Sequence, residues 1–242
     1  VYAEVRGAPE LFTRKGLTLD QVIEATDEGF AQGMQEARRE GHSIVVGNIL
    51  CALRQNSVSF EVAQKVVKYR GQGVVGFDIA GPEDGYPPTD HIKAFRYLEE
   101  NGAHFTIHAG EADGPESIDL AVNVCGAQRI GHGVRIVEDL PNGRIARQVL
   151  DQQIHLEVAP TSNLQTGIAD AYAYHPIKNL FELGYNVGIN TDNRLMSRTS
   201  MSKEFTQAAA AFGWGAAEFR ELTLCAMSAA LSMSGRSSLM RC

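Results

Sequence analysis

Ser43-Ile44-Val45-Val46-Gly47-Asn48-Ile49-Leu50 is followed by a segment with Val62, Val66 and Tyr69 at helical spacing. Then comes Gly73-Val74-Val75-Gly76-Phe77-Asp78-Ile79-Ala80. Each flanking run is short, largely apolar and rich in β-branched residues, without polar alternation. That is the pattern of a strand covered on both faces. A strand, a helix and a second strand in this order require a crossover, and strands joined by a crossover run parallel.

The same unit recurs on both sides. Toward the front, Val1-Tyr2-Ala3-Glu4-Val5-Arg6 alternates like a strand. Thr18-x-x-Gln21 reads as a capping box for a helix with Leu19, Val22, Ile23, Thr26, Phe30 and Met34 on one stripe, ended by Gly41. Toward the back, a helix over 89–101 carries Ile92, Phe95 and Leu98 and precedes a strand at 104–108. Pro115 opens a helix with Ile118, Ala121, Val122 and Cys125, closed by Gly126 and followed by the strand Arg129-Ile130-Gly131. A helix near 143–152, the strand His155-Leu156-Glu157-Val158, a helix from Pro176 to Gly184 and the strand Asn186-Val187-Gly188-Ile189-Asn190 continue the series. Proline at helix starts and glycine past helix ends is the expected asymmetry. Further helices fall at about 202–212 and 216–232, and residues 233–242 read as an irregular tail. The alternation predicts an α/β fold of seven βα units, one short of the eight that close a (β/α)8 TIM-type barrel at roughly 30 residues per unit. The expectation is one incomplete barrel domain over 1–242.

Composition narrows the function. With 242 residues, of which 44% are hydrophobic and 21% charged, the chain has material for one full core and is not disordered. No run of about 18 apolar residues is present to span a bilayer, and no signal peptide is visible. A net charge of −7 without a basic block argues against nucleic acid as a partner. Cys51, Cys125, Cys225 and Cys242 are too dispersed for a disulfide framework or a thiolate zinc site and fit reduced thiols in the cytoplasm.

In a parallel barrel, function gathers at the C-terminal ends of strands. There the sequence places Asp78-Ile79-Ala80-Gly81, His108-Ala109-Gly110-Glu111, Gly131-His132-Gly133, Pro160-Thr161-Ser162-Asn163 and Thr191-Asp192-Asn193. Each taken alone is ordinary: a lone strand-end His is more often a satisfied polar residue, and a lone Asp more often a helix cap. Two His, a Glu and an Asp on successive top-face loops point instead to metal-assisted hydrolysis. Zinc takes neutral imidazole and carboxylate and keeps one position for water, whose pKa it lowers from about 15.7 to about 7. A neighbouring Glu or His moves the protons. His42, His91, His104, His155 and His175 fall at element boundaries or strand starts and read as background. No H-E-x-x-H, phosphate-binding loop, G-x-S-x-G or H-x-E with P-C-x-x-C occurs. The strand ending at Asp78 holds no Lys to bridge two metals, so one metal is expected.

These motifs, in order and spacing, resemble the adenosine deaminase family from the start of the chain to about residue 230. The resemblance implies a zinc-dependent (β/α)8 barrel of the metal-dependent hydrolase kind. It would convert adenosine or deoxyadenosine to inosine or deoxyinosine and ammonia, in purine nucleoside metabolism. It implies His108 and Asp192 as zinc ligands, one Zn2+ per complete site. Glu111 would protonate purine N1, and His132 would orient the attacking water and accept its proton. Gly81 would offer its backbone N–H to purine N3. Asn193 stands where the commoner pattern has a second Asp facing purine N7; its neutral amide donates at any pH, as in a bacterial branch of the family. The family's first strand carries an H-x-H pair of zinc ligands, and no H-x-H occurs in these 242 residues. A strand ahead of Val1 is therefore expected to be missing, leaving the chain as a truncated and inactive form unless the site is completed in another way. A monomer or weak homo-oligomer is expected, with no membrane or nucleic-acid partner. Two other readings stay open. One is deamination of a related aminopurine, adenine or aminodeoxyfutalosine. The other is a non-catalytic barrel remnant that binds a ligand or partner.

Overall fold

The structure, a computed structural model, describes residues 1–231. The chain divides into two compact units, Val1–Thr106 and the residues from Ile107 onward.

The first unit is a three-stranded parallel sheet, order β1-β2-β3, with β1 Tyr2–Gly7, β2 Val45–Leu53 and β3 Val74–Ala80. Its helices are α1 Leu19–Arg39, α2 Ser59–Tyr69 and α3 Ile92–Glu100. The capping box of α1 forms as read. Thr18 Oγ1 accepts the Gln21 N–H at 3.2 Å, and the Gln21 side chain accepts the Thr18 N–H at 2.9 Å. Burial along its stripe fades after Leu19, Val22 and Ile23, and Thr26, Phe30 and Met34 are only half-buried. The core is aromatic: Phe95 packs edge-on against Phe77, centroids 5.8 Å apart, and lies 5.3 Å from Phe105. Asp78, fully buried at the end of β3, accepts from Arg6 at 2.8 Å and so ties the ends of β1 and β3 across β2.

The second unit is a four-stranded parallel sheet in chain order, with β4 Ile107–Ala109, β5 Arg129–His132, β6 His155–Val158 and β7 Val187–Ile189. Around it lie α4 Pro115–Asp119, α5 Arg144–Asp151, α6 Pro160–Gln165, α7 Ile177–Glu182, α8 Arg194–Ser197, α9 Met201–Phe212 and α10 Ala216–Ser228. Register decides what meets at the strand ends. His108 sits opposite Gly131, and Ala109 opposite His132. A Cβ at Gly131 would come within 3.1 Å of His108 Nδ1 and 3.2 Å of its Cα, so the His108 ring needs glycine beside it.

Three elements differ from the sequence reading. The strand expected at 104–108 divides between the units: Phe105 bridges to Phe77 in the first, and the ladder of the second begins at Ile107. The helix expected from Pro115 to Gly126 widens after Asp119 into a π turn over Leu120–Val124, where the Cys125 N–H reaches Leu120 O. This turn keeps Ile118, Ala121 and Cys125 buried. The last helix ends at Ser228 rather than 232. The tail at 233–242 lies outside the described residues, among which no helix is long and apolar enough to cross a membrane.

Glu204 of α9 is fully buried and accepts from the Tyr172 and Thr199 hydroxyls and, at 3.2 Å, from the Thr161 N–H at the start of α6. Burial and this carboxylate together push the Tyr172 hydroxyl far above the usual range. Removing a shared acceptor leaves buried donors unsatisfied, at about 1–3 kcal/mol each. Glu204→Ala is therefore expected to destabilise the fold by about 3 kcal/mol or more and Glu204→Gln by less, as read by urea unfolding.

Candidate active site

Strand ends in the second unit bring together most of the residues singled out in the sequence. His108 lies within β4 and Glu111 two residues past its end, while His132 ends β5. The His108 and His132 rings meet edge to face with centroids 5.1 Å apart, and His132 Nδ1 lies 3.5 Å from Glu111 Oε1. His132 is buried and Glu111 partly so. His132 and Asp192 hold left-handed backbone conformations, with φ of 62° and 50°. Such conformations are costly for non-glycine residues and persist where surrounding structure enforces them.

A side chain at the end of the P-T-S-N motif organises this group. Asn163, fully buried in α6, donates from Nδ2 to Glu111 Oε1 at 2.6 Å, and the same nitrogen lies 3.2 Å from His132 Nδ1. Its Oδ1 faces His175 Nε2 at 3.3 Å. His175, buried just before α7, accepts the Ile177 backbone N–H on Nδ1 at 3.1 Å. A ring nitrogen that accepts a backbone N–H carries no proton, so the His175 proton sits on Nε2 and points at an acceptor. That acceptor must be the Asn163 oxygen, which turns the Asn163 NH2 toward Glu111 and His132. The Thr166 hydroxyl has three acceptors in reach, of which Glu111 Oε1 at 2.9 Å is nearest. In the sequence His175 falls at an element boundary and reads as background, and Asn163 appears only as part of the P-T-S-N motif. Burial, which a sequence does not reveal, is what separates both from solvated residues.

Asp192 follows β7 and is exposed; its Oδ2 accepts from Ser162 Oγ at 2.8 Å. Asn193 beside it caps α8, its Oδ1 accepting the Met196 N–H at 3.3 Å. That bond occupies the carbonyl oxygen and leaves the amide nitrogen as the donor of this side chain. His108 and Asp192 are donors of the kind zinc takes. Their number falls short of a zinc site: among the described residues no group of three or more His, Cys, Asp or Glu is placed to hold a metal ion.

Gly81 belongs to the first unit, just past β3. Its φ is 100°, and a Cβ there would come within 2.6 Å of Gln55 Oε1. Gln55 also lines a cavity of about 760 Å³ in that unit, with Glu10, Arg54, Tyr86, His91 and Lys93. His91 is a satisfied core histidine, its ring held by Ser59 Oγ and Arg54 O at 2.8 and 2.9 Å.

The family model described as adenosine deaminase matches residues 1–241. Adenosine deaminase 1 of Streptomyces coelicolor is 52% identical over 238 residues, covering 95% of this chain and 60% of that protein. Adenosine deaminase of Mycolicibacterium vanbaalenii is 48% identical over 238 residues, covering 95% of this chain and 66% of its own. The chain thus spans less than two thirds of the length of either relative. Among solved structures, the adenine deaminase of Arthrobacter aurescens superposes with a TM-score of 0.83 at 23% identity, covering 98% of this chain and 71% of that one. An amidohydrolase from Burkholderia ambifaria with bound zinc gives 0.79 at 24% identity, covering 95% and 63%. At these identities the likeness shows the fold, which is that of the (β/α)8 barrel enzymes.

The buried His175 has a consequence for stability. Burial, followed by the nearby His132, lowers its pKa from the ordinary 6.5 to about 4. Between these values the unfolded chain binds a proton that the folded chain excludes. The contribution is therefore complete above pH 6.5 and lost as the pH falls toward 4, on the order of 3 kcal/mol. Urea midpoints are expected to fall over this window in the wild type and to fall less steeply in His175→Gln.

Proposed function

The chain belongs to the adenosine deaminase family, and on that premise we propose that its second unit carries the chemistry of hydrolytic deamination of adenosine or deoxyadenosine. Water adds at purine C6, ammonia leaves, and inosine or deoxyinosine is formed. The observation that carries this reading is the Glu111 carboxyl group, held on one oxygen by the Asn163 amide with the His132 ring beside it. An acid fixed next to an imidazole is what protonation of a ring nitrogen and handling of a water require.

In this reading Glu111 gives its proton to purine N1. The extra positive charge on the ring draws electrons from C6 and opens it to attack. His132 orients the attacking water. With Nδ1 accepting from Asn163 at 3.2 Å, the neutral ring presents Nε2–H and acts as a donor to the water oxygen. To take the water's proton on Nε2 the ring must first shift its own proton to Nδ1, giving up the Asn163 N–H and turning that proton toward Glu111 Oε1, 3.5 Å away. Asn193 offers its amide N–H to purine N7. His108 and Asp192 are assigned as zinc ligands. Zinc, when bound, supplies acidification of a water. Two protein donors are fewer than the three or four that zinc sites use. The relatives named adenosine deaminase, at 48–52% identity, favour adenosine over adenine, because the adenine deaminase likeness is one of fold.

The test is conversion of adenosine to inosine, with adenine as the competing substrate and zinc per chain measured on the same preparation. Glu111→Gln cannot deliver a proton and is expected to lower kcat by about 10²–10⁴ with little change in zinc content. Zinc-loaded wild-type protein that leaves adenosine unchanged would contradict the reading.

A further inference from the structure

Deamination as read above needs a proton on Glu111, and a carboxyl group has two oxygens to carry it. Oε1 faces two donors, Asn163 Nδ2 at 2.6 Å and the Thr166 hydroxyl at 2.9 Å. A proton placed on Oε1 would compete with these N–H and O–H groups, and His132 Nδ1, 3.5 Å from Oε1, already takes an Asn163 N–H. We propose that Asn163, its amide oriented by His175, confines the acid proton of Glu111 to Oε2 and makes that oxygen the one that protonates the substrate. The proposal rests on the deaminase reading and adds the positioning residues behind it.

The chain of constraint starts on the backbone. The Ile177 N–H at the start of α7 donates to His175 Nδ1, which leaves the His175 proton on Nε2. Nε2–H meets the Asn163 oxygen, and a flipped amide would set N–H against N–H in a buried place. The unflipped amide keeps both protons of Nδ2 for Glu111 and His132. During turnover the Oε2–H bond breaks, its electron pair stays on the carboxylate, and a new N1–H bond forms on the purine. The negative charge left behind spreads onto Oε1, where the Asn163 and Thr166 donors already point. No reorganisation is needed at the moment of transfer, which is how preorganised donors act in catalysis. His175 touches neither the substrate nor Glu111 and is a positioning residue.

Two variants separate this role from ordinary packing. The side-chain N–H of His175→Gln falls near the place of Nε2 and still donates toward Asn163, but the acceptor for Ile177 is lost. His175→Asn keeps an acceptor near the place of Nδ1 and does not reach Asn163. The expected result is kcat within about threefold of wild type for His175→Gln and at least about tenfold lower for His175→Asn, with KM little changed in both. Long-range nitrogen–proton NMR of the wild-type chain should find the His175 proton on Nε2 at neutral pH, and this readout stands if neither variant folds. A proton on Nδ1, or a His175→Asn variant as active as His175→Gln, would overturn the proposal. An inert wild type with its proton on Nε2 would instead contradict the deaminase reading and leave the orientation of Asn163 supported.

Discussion

The orientation of one buried amide governs the candidate site. Asn163 has no exposure to solvent, so its oxygen and its NH2 must be satisfied inside the protein. Only one of its two flips does this, because His175 presents a proton on one side and Glu111 a carboxylate on the other. A backbone N–H, whose direction is fixed by the start of α7, sets the His175 tautomer. The arrangement of Glu111 and His132 is thereby traced to backbone geometry rather than to flexible side chains. The same region is held from behind by Glu204, which accepts the Thr161 N–H where α6 begins. Buried networks of this kind are rigid when every member is satisfied.

The backbone carries part of the same constraint. His132 and Asp192 are held at positive φ just where their strands give way to loops, where glycine would sit with less strain. Their side chains are the ones proposed to orient the water and to bind zinc. Packing that enforces an unfavourable conformation at such residues is characteristic of sites where direction matters more than stability.

Much of the fold was legible in the sequence. Strict alternation of short apolar runs with helical stripes implied seven parallel strands, and seven are observed among the described residues. The run at 104–108 was harder, since continuity of sequence does not reveal that Phe105 and Ile107 pair in different units. The π turn after Asp119 was also not legible, because an i to i+5 bond leaves the apolar pattern almost unchanged. In the site, His108, Glu111, His132 and Asp192 stood out as strand-end residues of a parallel sheet. Asn163 and His175 did not, because what distinguishes them is burial and mutual contact across 12 residues of loop and turn. At Asn193 the sequence predicts a donor to substrate, and the cap that its oxygen makes on α8 is visible only in the structure.

The most direct test of the account is the steady-state rate of inosine formation by Asn163→Leu, measured beside wild type on folded protein of equal zinc content. Leu has the branched shape of Asn and neither its donors nor its acceptor. The account predicts that kcat falls by about 100-fold or more, since Glu111 and His132 lose their common donor. A variant that keeps kcat within a few-fold of wild type would show that the amide does not organise the site, and would contradict the account.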